Sequence, residues 1–151
     1  MPARYTPVSS LSQRKPSTLD DQDSIASKKY MLKDSIGRLS PLLWWRTRPP
    51  QDLSYCDVQT IREVLLGSDP IGDYDWLPAL AGDSAAAIGV AIRVLKAHGM
   101  SNPLIDRAMS AVLCCLLEDD RASIALMTSA LRRRAKIDPQ CHDLWQLWCS
   151  I

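Results

Sequence analysis

Three features of the sequence predict an all-α fold. No stretch alternates apolar and polar residues as a half-buried strand would, apolar residues recur three and four apart in successive segments, and Ser, Asn or Asp stands where each helix needs an N-terminal cap. The segment 1–24 lies outside this pattern. It is rich in Ser, Pro, Thr, Gln and Arg and poor in large apolar side chains, so burial cannot offset its ordering entropy, and it is expected to be a flexible, basic arm. The remainder, 25–151, is expected to form a single α-helical domain, long enough to bury a core.

Ile25, Leu32, Ile36 and Leu39 are spaced seven, four and three and predict a first amphipathic helix. Ser54 and Asp57 form a capping box with Asp in place of the usual Glu; Val58, Ile61 and Leu65 then line one face until Gly67. A short turn with Trp76, Pro78 and Leu80 leads to a helix capped by Asp83 or Ser84, with Ile88, Ile92 and Leu95 as its expected inner face and Gly99 as its stop. Asn102 caps the next, with Pro103 at the position where a missing N–H costs nothing. Its polar stripe of Asp106, Arg107 and Ser110 fades until Ala111 to Leu117 is apolar all round, which places it with the segment Ala85 to Ala97 at the packed centre. Asp120 opens a helix carrying Ile124, Met127, Leu131 and Ala135, and Asp138-Pro139 opens the last, where Leu144, Leu147, Trp148 and Ile151 share a face.

Pro41, Pro70, Pro103 and Pro139 each follow Ser, Asn or Asp and are 29, 33 and 36 residues apart. A period in that range is produced by stacked helical hairpins, but the spacing drifts and Asx-Pro starts helices of every kind. The architecture expected is therefore a compact bundle of about five to six helices, with stacked hairpins as its alternative form.

Several functions find no support in the residues. Five cysteines with no Cys-x-x-Cys pair argue against a disulfide scaffold and for a reducing compartment. No charge-free stretch approaches the roughly 20 residues of a bilayer span, and MPARYTPVSS has no apolar signal core, so neither a transmembrane segment nor a signal peptide is expected. Cys141, His142 and Cys149 lack the spacing of a zinc site, and Asp69, Asp73, Asp75 and Asp83 lack the pattern of a calcium loop. His98 and His142 belong to no triad, and no phosphate-binding glycine loop is present. No metal, cofactor or catalytic residue is expected, and the protein is read as non-enzymatic.

Two surfaces remain. Trp44, Trp45, Arg46 and Arg48 combine the residue types that dominate binding hot spots, and because adjacent tryptophans cannot face one core, one of them is expected at an exposed, positive edge. Arg132, Arg133, Arg134 and Lys136 form a basic cluster, and Lys96 to Met109 has the length of a helix-turn-helix. Charge is also split. Residues 1–50 hold nine Lys/Arg against four Asp, a net of +5, whereas 51–151 hold nine against thirteen acids, a net of −4. The arm can thus be drawn to nucleic acid, an anionic membrane surface, an acidic partner or another copy of the chain.

The first reading is a small helical protein acting by protein–protein association through Trp44, Trp45, Arg46 and Arg48, self-association included, in its own or a host's cytoplasm. The first 19 residues, without Asp or Glu and rich in Ser, resemble the export segments of bacterial type III secreted effectors. A basic arm on a helical body equally suits a viral accessory or matrix-like protein. The alternative is a nucleic-acid-binding regulator using the arm and Arg132 to Arg134.

Overall fold

Caps written locally in the sequence set where four of the α-helices begin. The computed structural model describes residues 39–151, among which six α-helices and two short 3₁₀ helices occur and no strand. The arm expected at 1–24 and the amphipathic pattern through Ile36 lie outside the described residues. The 3₁₀ helices are Pro41–Arg46 and Pro50–Asp52, and the α-helices are α1 (Tyr55–Leu66), α2 (Trp76–Leu80), α3 (Ser84–His98), α4 (Pro103–Leu117), α5 (Arg121–Arg134) and α6 (Cys141–Trp148).

Ahead of α1, the Asp57 carboxylate accepts from the Ser54 backbone N–H at 2.8 Å and from its hydroxyl at 3.1 Å, the reciprocal bond of a capping box. Asp83 Oδ1 accepts from Ala86 N at 3.0 Å at the start of α3, and Asn102 Oδ1 from Leu104 N at 2.9 Å at the start of α4. Asp120 Oδ2 accepts from both the backbone N–H and the hydroxyl of Ser123, at 2.8 and 2.6 Å, so this buried serine is satisfied within its own first turn. Gly99, at φ 69°, ends α3 in backbone that side chains rarely adopt. Where the sequence predicts only a turn, Trp76–Leu80 closes one helical turn, because Trp76 and Ala79 are drawn into the core.

The centre is α4. Every residue from Ala108 to Leu116 is buried, and the helix packs against α1, α3, α5 and the first 3₁₀ helix, while α2 lies on α3 and α6 on α5. Consecutive helices do pair as hairpins, but apolar burial is organised around this one axis rather than handed along a stack. The face of α1 is as expected, Val58, Ile61 and Leu65.

That of α3 is not. Its buried arc is Ala86, Ala87, Val90, Ala91, Val94 and Leu95, while Ile92 is exposed and Ile88 half-buried. Residues 86, 90 and 94 and residues 87, 91 and 95 form two i, i+4 ridges of Ala, Val and Leu that pack toward α4. On α6, Leu144 and Trp148 face inward and Leu147 does not, and Ile151, beyond the end of the helix, is exposed as well.

Candidate functional site

Trp44 and Trp45 are both core residues, which corrects the expectation that one of them stays exposed. Serine-capped Pro41 starts a tight 3₁₀ turn instead of an α-helix, and its geometry sends the two rings inward at different angles: Trp45 is fully buried and Trp44 is 7% exposed. The Trp45 indole N–H donates to Asp106 Oδ1 at 3.0 Å. Arg46 grips the same carboxylate with two nitrogens, Nε at 2.7 Å and Nη2 at 3.2 Å. Arg48 stacks 3.8 Å above the Trp44 ring and reaches Asp57 at 3.9 Å. Ser110, on the same stripe of α4 as Asp106, donates to the Leu42 carbonyl at 3.0 Å. The segment proposed from sequence as a partner surface is thus bound to α4 by its aromatic and charged groups.

The acidic loop is equally engaged. Arg93 on α3 donates to Asp73 through Nε at 2.7 Å and Nη2 at 2.8 Å and to Asp75 at 2.7 Å, with Tyr74 beneath its guanidinium. Hydrogen bonding from Arg93 holds the Asp73 carboxyl below the usual carboxylate range. A shallow cavity of about 200 Å³ beside Asp73, Arg93 and His98 is therefore walled by an ion-pair network already internally matched.

The three buried thiols are not activated as nucleophiles. Burial pushes Cys114 up to about 12 and Cys115 to about 11, so both are neutral at pH 7, and burial raises Cys141 as well. The helix-turn-helix reading of Lys96 to Met109 fails on packing: its second helix is α4, whose Ile105, Ala108 and Met109 are buried in the bundle and cannot enter a groove.

The basic cluster fares differently. Arg134 is half-buried and turned inward, where Nη1 donates to the Met100 carbonyl at 2.7 Å. Arg132, Arg133 and Lys136 are exposed, and among the described residues none of the three enters an ion pair. Helix α5 contains no acidic residue. Asp138, the acid next in sequence, is half-buried, its carboxylate accepting from Gln140 N at 3.2 Å and lying 3.6 Å from Cys141 Sγ.

Against this cluster lies an aromatic pair that sequence reasoning passed over. Trp145 on α6 packs partly on the core, and the Arg132 guanidinium lies 5.8 Å from its ring centroid. His142, one helical turn earlier and exposed, sets its ring 5.6 Å away at 57°. Asp143 falls two residues before Trp145, about 200° around the helix and so on its far side. Of the five tryptophans, all within the described residues, Trp145 alone is not buried. The signal available in the sequence was its position three after His142 on a helix following three consecutive arginines. No family model, curated protein or solved structure matches this chain.

Proposed function

We propose that this protein binds nucleic acid, with Arg132, Arg133 and Lys136 meeting the phosphates. The observation that carries this reading is the local charge. Three exposed cations, unpaired among the described residues, stand at one end of a helix without an acid, on a body where Asp73, Asp75, Asp106 and Glu118 are already matched to other arginines. Stabilisation of the helix C-terminus accounts for part of this composition, at about 0.3–1 kcal/mol per cation, but it does not require the charges to stand free of partners. A cluster of this kind steers polyanions and releases their counterions on binding.

The test is the salt dependence of binding of the full chain to generic duplex and single-stranded oligonucleotides. The triple variant Arg132→Gln, Arg133→Gln, Lys136→Gln should flatten the slope of log affinity against log salt by about 0.7–0.9 for each phosphate that is no longer neutralised. An unchanged slope would assign the binding elsewhere, and no binding at low salt would end the proposal.

A second reading, association with a protein, rests on another observation. A groove of about 380 Å³ with apolar walls runs between Pro50, Leu116, Leu117, Leu147 and Ile151, and Leu147 and Ile151 are exposed at its edge. Such a groove accepts apolar side chains of a partner.

A further inference from the structure

We infer that the nucleic acid taken by this end of the molecule is single-stranded, its bases stacking on the outward ring surface of Trp145 and His142 while the phosphates meet Arg132, Arg133 and Lys136. This rests on the binding proposed above and adds the form of the ligand. An exposed cation cluster alone does not distinguish strands from duplexes. The aromatic pair beside it does, since a base offers its π-face only when it is unstacked from its neighbours. Trp145 is anchored by packing on the core, so its ring is held in place before any ligand arrives. The two rings, 5.6 Å apart and inclined at 57°, form a corner rather than a closed stack, which leaves aromatic surface for an incoming base. Arg132, at 5.8 Å from the Trp145 centroid, is close enough to cover a stacked base while facing a phosphate. Asp143, on the far side of α6, does not oppose the phosphates there. A membrane surface fits this patch less well, because insertion needs a broad apolar face, whereas Ile137 is the single large apolar side chain exposed in the segment from Arg132 to Asp138 and the rest of α5 presents Ala122, Ala125 and Ser129 to solvent.

Electrostatics and stacking rank ligands in opposite orders. A duplex carries a charge for about every 1.7 Å of its axis and a single strand about half that density, so a purely ionic site prefers the duplex. The full chain is titrated at low ionic strength with short oligothymidylate, oligouridylate and a mixed-sequence duplex of the same length, read by anisotropy and by tryptophan fluorescence. The expected result is tighter binding of either single strand than of the duplex, with quenching that Trp145→Leu abolishes. That variant should weaken single-strand binding by at least about fivefold and leave duplex binding unchanged, and His142→Ala should act in the same direction. Circular dichroism establishes that Trp145→Leu is folded. If it is not, the quenching of the wild-type chain and the His142→Ala titration decide. Duplex binding as tight as single-strand binding, or single-strand binding indifferent to both substitutions, overturns the inference and leaves the proposed function standing. Binding to none of the three probes removes the proposed function itself.

Discussion

Asp119 carries a local conflict between side chain and backbone. It joins α4 to α5 with φ at 70°, and it is the only residue other than glycine with positive φ among those described. Around it the chain makes both bonds of a Schellman motif, Asp119 N to the Leu116 carbonyl at 3.0 Å and Asp120 N to the Cys115 carbonyl at 3.1 Å. That motif usually places glycine where this chain has aspartate, because a Cβ in left-handed backbone is crowded by the following carbonyl. Asp119→Gly should therefore raise stability by about 0.5–1 kcal/mol, or about 2–5 °C in melting temperature. Asp119→Val should lower it, since branching at Cβ fits this backbone worst. Calorimetry on the two variants checks the sign of each; a glycine variant that melts lower would show that the aspartate side chain contributes more than its backbone costs.

At the scale of elements, the first 3₁₀ helix depends on one carboxylate. Asp106 accepts from Trp45 and twice from Arg46, so removing it leaves an indole N–H and a guanidinium unmatched in a half-buried site. Asp106→Ala should cost about 2–3 kcal/mol and open Arg46 and Arg48 to trypsin, while Asp106→Asn, which keeps an acceptor, should cost less. A variant that melts and digests like the wild type would show that packing of the two tryptophans alone holds the segment. This connection could not be read from the sequence, since it spans 60 residues and needs α4 to be placed first. Four helix starts could be read, because a cap and its target N–H are two or three residues apart, whereas the last helix begins at Cys141 without a side-chain cap and not at Asp138-Pro139. The inner face of α3, apart from Leu95, is not legible for a different reason. Alanine buries little area and gives a weak apolar signal, yet close approach between helices selects for it, so the isoleucines marked the wrong arc. The exposure of Trp145 was hidden in the same way, since it depends on how α6 lies on α5.

For the whole molecule, pH tests how far the ion-pair and cap network contributes. Arg93 lowers the Asp73 carboxyl through its hydrogen bonds, and the Ser123 hydroxyl and backbone lower Asp120, so both release protons more readily in the folded chain than in the unfolded one. The unfolded chain then binds more protons through the acid range. The stabilisation is complete above the ordinary aspartate value of about 3.9 and is lost as pH falls below it. Melting temperature should hold between neutrality and about pH 5 and fall below about pH 4. Asp73→Asn with Asp120→Asn should begin lower and fall less steeply; an identical acid slope would assign the sensitivity to other carboxylates. The burial of α4 on nearly every side also bears on how the chain is made. The apolar arcs of α1 and α3 have no adequate cover until residues up to Leu117 have left the ribosome, and at about 5–20 residues per second that wait from Leu66 lasts on the order of seconds. During that interval these arcs are open to chaperones and to neighbouring chains, so the yield of folded protein should depend on translation speed through this stretch as well as on the stability of the finished bundle.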